Sequence, residues 1–122
     1  MPPVSHNSLI IITGAAGLVG QNLLLLLRER GYNNLLAIDV HANNLSIAAK
    51  LNPGIKTLCT DLSVAGDWQQ TFSGASAVIQ LHAQITSLHE ADFVRNNIEA
   101  TRHVLAACQQ YNISYLIHIS SS

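Results

Sequence analysis

Three glycines spaced three apart, Gly14, Gly17 and Gly20, follow a β-branched run, Ile10 to Ile12, and a threonine. A strand that passes through such a turn into a helix forms a phosphate cradle. Gly14 lets the chain turn sharply off the strand, Gly17 lets the backbone approach a pyrophosphate with no Cβ in the way, and Gly20 lets the helix pack close to the sheet. The first helical amides lack intrahelical acceptors and sit at the positive end of the helix dipole, so an anion is stabilised there. Asp39, nineteen positions beyond Gly20, supplies the second half of the pattern. A carboxylate at that strand end accepts hydrogen bonds from both ribose hydroxyls and repels a 2′-phosphate. Together they point to a dinucleotide, NAD in preference to NADP. His41 reads as a surface residue, not as a phosphate ligand.

These residues need an alternating chain of strands and helices to hold them. Leu18 to Arg30 reads as a helix that stops at Gly31, with its run of five leucines as core packing and Arg28 and Arg30 near its C-terminus. Leu35 to Val40 is a second strand. Asn43 to Leu51 is a short helix capped by asparagine, ended by Asn52-Pro53-Gly54. Ile55 to Thr60 is a third strand, which leads into Asp61 and Leu62. Residues at the C-terminal ends of parallel strands face the ligand crevice, which places Asp61 and the Leu62 backbone at an adenine edge. Val64 to Phe72 is a weak helix whose Trp68 covers the sheet. Ser76 to Ala83 is a fourth strand, apolar enough to be covered on both faces, with His82 at its ligand end as a hydrogen-bonded packing residue ahead of a catalyst.

Glu90 to Tyr111 is the longest helix, and Val94, Ile98, Thr101, Leu105 and Cys108 form one continuous stripe along it. Asn112-Ile113 closes the helix, and Ser114 to Ile119 is a fifth strand that ends in three serines. The alternation predicts an α/β fold, a doubly wound parallel Rossmann sheet of strand order 3-2-1-4-5 over one domain, residues 1–122. Its reversal point falls where Gly14 to Gly20 meet Leu81 to Ala83.

Composition narrows the classes. The chain is 48% hydrophobic and 11% charged with a net charge of -1, which excludes a disordered chain and offers no basic block for nucleic acid or an anionic membrane. A small molecule is the expected partner. The N-terminus MPPVSHN has no cationic start followed by an apolar stretch, and the longest aliphatic run, Leu23 to Leu27, is far short of a membrane span. The chain therefore reads as cytoplasmic. Cys59 and Cys108 have no CxxC spacing and are expected to be buried free thiols, with no metal site.

The segment from Thr13 to Gly20, TGAAGLVG, resembles the TGxxGxxG spacing of short-chain dehydrogenases and reductases. VIQLHA at Val78 to Ala83 resembles the VxHLAA strand of the extended branch, the NAD-dependent epimerases and dehydratases. NIEATRHVLAAC at Asn97 to Cys108 resembles that branch's NxxGTxNxLxAA helix, and LIHISSS at Leu116 to Ser122 its strand with the catalytic serine. The resemblance covers nearly the whole chain in the right order. It implies an oxidoreductase portion that binds NAD, with pyrophosphate contacts from Ala16, Gly17, Leu18 and Val19, ribose binding by Asp39, and adenine contacts by Asp61 and Leu62. Leu81, His82 and Ala83 would line the nicotinamide side, supported by Asn97. Ser121 is the first candidate for the family's serine and Ser122 the second. Gln80, His82 and Ala100 depart from the family pattern.

The family's chemistry also needs a tyrosine whose pKa is lowered by a lysine four residues on. Tyr32, Tyr111 and Tyr115 are followed at that spacing by Leu36, Tyr115 and Ile119, so these residues hold no YxxxK pair. The later strands and the substrate domain of the family pattern are missing as well. The expectation is an NAD-binding portion of an enzyme acting on a sugar nucleotide or similar hydroxyl substrate, inactive alone and prone to self-association or homodimer formation. A non-catalytic dinucleotide-sensing domain and a Rossmann-like domain for S-adenosylmethionine are the rival readings.

Overall fold

The computed structural model describes residues 4–81 and 90–119. Five parallel strands, β1 (Leu9–Thr13), β2 (Leu35–Asp39), β3 (Lys56–Cys59), β4 (Ala75–Leu81) and β5 (Tyr115–Ile119), form one sheet in the order β3-β2-β1-β4-β5. The helices α1 (Leu18–Glu29), α2 (Ala42–Leu51) and α3 (Glu90–Gln110) and a 3-10 helix over Asp67–Phe72 cover it. Strand periodicity divides the core in two. Ile10 and Ile12 of β1 pack with Leu24 and Leu45 of α1 and α2, and Ile11 between them packs on the other face with Trp68, Phe72 and Val104. Among the described residues no helix is long and apolar enough to cross a membrane.

Several local expectations change. Of the leucine run only Leu24 is fully buried, whereas Leu25 and Leu26 lie on the outer side of α1, because a helix turns by 100° per residue and buries one stripe. Helix α2 begins at Ala42 with His41 at its N-cap and no side-chain cap, so Asn43 does not cap it. At its other end Asn52 is buried. The Asn52 amide donates to the Ala48 carbonyl and its oxygen accepts from Arg28 at 3.1 Å, which ties α1 to α2. The segment before Phe72 is the short 3-10 helix, and the Trp68 indole N–H donates to the Val64 carbonyl.

The stripe on α3 is rotated from the expected one. Val104, Ala107 and Cys108 face the sheet, while Val94, Ile98 and Leu105 are exposed. Two of the three buried positions carry small side chains, which pack with Ile11, Phe72 and Val78, so counting large apolar residues misses them. Asn112, at φ 54°, and the Ile113 amide bound to the Cys108 carbonyl end the helix as the sequence indicates.

Cys59 is exposed on β3, contrary to the expected burial, because among the described residues β3 is a sheet edge paired with β2 alone. Cys108 is buried, and desolvation raises its pKa. A thiol alkylating agent at neutral pH is expected to modify Cys59 rapidly and Cys108 only as the protein unfolds. Equal rates at both, read by peptide mass spectrometry, would contradict this placement.

Candidate functional site

Each glycine of the turn meets a different constraint. Gly14 has φ +69°, and a Cβ there would stand 2.6 Å from the Leu81 carbonyl oxygen of β4. Gly20 is in ordinary helical conformation, yet a Cβ would lie 2.6 Å from the Cα and carbonyl carbon of Ala15. Its contact is thus with the turn itself, which sharpens the expected helix–sheet approach. Gly17 has no such reason. Its φ is -76°, and among the described residues an added Cβ would meet nothing nearer than the Gly14 carbonyl oxygen at 3.8 Å. The described residues leave room for a side chain there, so the space beside this glycine is open to a ligand.

Gly17 is also the N-cap of α1, with no side-chain cap and no acidic residue in the first turn. The first turn of the helix therefore opens without a cap or a carboxylate of its own, flanked by exposed Leu18 and Val19. Ala16 differs from its neighbours. It is buried, and its N–H donates to Asp39 Oδ2 at 3.0 Å, so this amide is turned toward the carboxylate.

Asp39 ends β2 beside that turn. Its Oδ1 accepts from the N–H groups of Val40 at 2.7 Å and His41 at 3.0 Å. A carboxylate has about four acceptor sites. Three hold backbone amides, which leaves one on Oδ2 for a ribose hydroxyl, and a second hydroxyl has to share Oδ1 with an amide.

The next strand end carries Asp61, whose Oδ1 accepts from the backbone N–H and the hydroxyl of Ser63 at 2.9 and 2.7 Å. Leu62 is half-buried, and its carbonyl accepts from the His103 ring at 2.9 Å. At the opposite end Gln80 of β4 is buried and bridges two elements, with Thr101 of α3 at 3.0 Å and His118 of β5 at 3.2 Å. A glutamine amide has both a donor and an acceptor, which suits this place between a hydroxyl and an imidazole.

These strand ends enclose a cavity of about 700 Å³. That is the size range of small-molecule and cofactor sites. Gly14, Gly17, Leu18, Val19, Gly20, Asp39, Asp61, Leu62, Leu81 and Asn97 all line it, so the structure brings together every described residue singled out from sequence except Ala16. His82, Ala83, Ser121 and Ser122 lie outside the described residues. Sequence reading missed Asn44, Ser63 and Gln80 as lining residues and set His41 aside, although it lines the cavity too. Asn44 carried one usable signal, its place in the first turn of the helix after Asp39. No group of three or more metal-ligating side chains occurs among the described residues.

The sequence pattern of the NAD dependent epimerase/dehydratase family matches residues 10–122. The chain belongs to that family. D-erythronate dehydrogenase of Cupriavidus necator is 31% identical over 111 residues, 83% of this chain and 34% of the relative. Sterol-4-alpha-carboxylate 3-dehydrogenase (decarboxylating) of Schizosaccharomyces pombe is 24% identical over 118 residues, 95% of this chain and 34% of the relative. An epimerase from Methanothermobacter thermautotrophicus has the same fold, with a TM-score of 0.80 and 20% identity across 95% of this chain and 36% of that one. The chain spans about a third of the length of the curated relatives it matches. It is thus the Rossmann portion of the epimerase/dehydratase pattern, a branch of the short-chain dehydrogenases and reductases, and the cofactor of this family is NAD. The residues fit that cofactor, since Gly17 leaves room for a phosphate at an uncapped helix start and Asp39 keeps one acceptor site beside it.

Proposed function

We propose that this chain is the NAD-binding portion of an epimerase, dehydratase or dehydrogenase that acts on a hydroxyl of a sugar nucleotide or similar substrate. The reading rests above all on Gly17, a glycine that no described residue requires, at the open N-terminus of α1. When bound, NAD supplies a hydride acceptor for the carbon that bears the reacting hydroxyl. The amides of Leu18 and Val19 hold the pyrophosphate, Asp39 binds the ribose, and Asp61 and Leu62 meet the adenine. Leu81, His82, Ala83 and Asn97 form the nicotinamide side, and Ser121 or Ser122 hydrogen-bonds the reacting oxygen. The proton acceptor, a tyrosine with a lysine four residues on, is not among these 122 residues, so they bind cofactor without turnover.

Calorimetry with NAD, NADP and S-adenosylmethionine tests this. NAD is expected to bind at least about tenfold more tightly than NADP, because the Asp39 carboxylate repels a 2′-phosphate. Asp39→Asn is expected to bring the two near parity. Equal binding of NAD and NADP by the unaltered protein, or a preference for S-adenosylmethionine, would contradict the reading.

The exposed apolar surface supports self-association. On β5, which among the described residues pairs with β4 alone, Tyr115, Ile117 and Ile119 are exposed, and α3 exposes Val94, Ile98 and Leu105. Light scattering is expected to give a dimer or larger species at micromolar concentration, and a monodisperse monomer would contradict it.

A further inference from the structure

We infer that His103, on α3, is a positioning residue for adenine recognition, acting through the Leu62–Ser63 peptide on the Asp61 carboxylate. The inference deepens the NAD-binding reading and rests on it. A carbonyl oxygen only accepts, so the 2.9 Å contact with Leu62 makes His103 Nδ1 a donor. The Leu62 carbonyl and the Ser63 N–H belong to one planar peptide, and that N–H donates to Asp61 Oδ1. The three groups form a series, from imidazole to peptide to carboxylate, in which each hydrogen bond polarises the next.

The consequence lies at the far end of the series. Ser63 N–H and O–H occupy Asp61 Oδ1, while Oδ2 receives no hydrogen bond from the described residues. Asp61 lines the cavity, so Oδ2 is an acceptor held ready for an exocyclic amine. Adenine has such an amine at C6, and hypoxanthine has an oxygen that the carboxylate repels. The loop from Thr60 to Gly66 has no regular structure, and among the described residues its other hydrogen bonds run within it or to Asp39, Trp68 and Gln69. His103 is its side-chain tether to α3, and the Gln69 amide, which donates to the His103 carbonyl at 3.2 Å, fixes the helix against the 3-10 turn at that level. Helix α3 thus touches both ends of the crevice, through Asn97 and Ala100 at one and His103 at the other.

The test compares NAD with nicotinamide hypoxanthine dinucleotide. The unaltered protein is expected to prefer NAD by about tenfold or more, the scale of one hydrogen bond to a charged group. His103→Leu is expected to reduce that ratio to about threefold or less. His103→Asn, whose Nδ2 falls where the imidazole Nδ1 stands, is expected to keep it. A purely structural role would weaken both ligands alike and leave the ratio intact, and that outcome in His103→Leu overturns the inference. So does an unaltered protein that binds both dinucleotides equally. If His103→Leu does not fold, long-range proton–nitrogen spectra of the unaltered protein decide. They are expected to show the Nδ1–H tautomer of His103 with NAD bound, and the Nε2–H tautomer would overturn the inference. Failure to bind NAD at all would instead overturn the reading on which it rests.

Discussion

Gly17→Ser is expected to leave the melting temperature unchanged or slightly raised and to lower NAD affinity by about 100-fold. The two effects separate because they have different causes. Serine is a better N-cap than glycine by a few tenths of a kcal/mol, and Gly17 is the N-cap of α1 without a side-chain cap. Among the described residues a Cβ there touches no atom closer than 3.8 Å, so the fold around it does not resist. In the ligand complex, however, the hydroxyl satisfies the amides that a pyrophosphate would use and occupies the space of its oxygens. Two lost charge-assisted hydrogen bonds at roughly 1.5 kcal/mol or more each correspond to about 100-fold in affinity. Calorimetry and thermal unfolding on the same preparation read both quantities. An unchanged dissociation constant would show that the α1 N-terminus holds no phosphate.

Gly20→Ala gives the converse result. Alanine gains about 1 kcal/mol of helix propensity over glycine. That gain is overridden, since the new Cβ would stand 2.6 Å from the backbone of Ala15, which is itself buried and bound through its N–H to the Ile38 carbonyl at 3.2 Å. Neither partner is the far end of a flexible side chain, so α1 has to move off the turn. Overpacking costs about 1–3 kcal/mol, and with rigid backbone on both sides of the contact the cost here is about 3 kcal/mol. The expected net loss is about 2 kcal/mol, read as a fall of roughly 8 °C in melting temperature for a chain of this length. A melting temperature within about 1 °C of the parent would contradict the packing described here. Taken together, the two substitutions assign one glycine to the ligand and one to the fold.

The strands and their order were legible because each is a short apolar run closed by turn residues, and because Gly14 and Asp39 sit where a switch point requires them. The backbone cradle was legible for the same reason, since Gly14, Gly17 and Gly20 constrain the chain through what they lack. Side-chain surroundings were not. Cys59 reads as apolar until β3 is known to be an edge strand, and Leu25 and Leu26 read as core until the single buried stripe of α1 is fixed by Leu24. On α3 the buried positions are small ones, Ala107 and Cys108 beside Val104, so a search for large apolar residues follows the wrong face. Gln80 and His103 are legible only in three dimensions. Their partners Thr101, His118 and Leu62 lie between 21 and 41 residues away in sequence.

The central claim is that the crevice at the ends of β1, β2, β3 and β4 holds NAD along its whole length. The most direct measurement is an amide proton–nitrogen spectrum of the protein recorded through a titration with NAD. Saturable shifts are expected at Gly17 to Gly20, at Asp39 to His41 and at Asp61 to Ser63, three segments far apart in sequence that meet at this cavity. Shifts confined to one of these segments, or a spectrum unchanged at millimolar NAD, would contradict it.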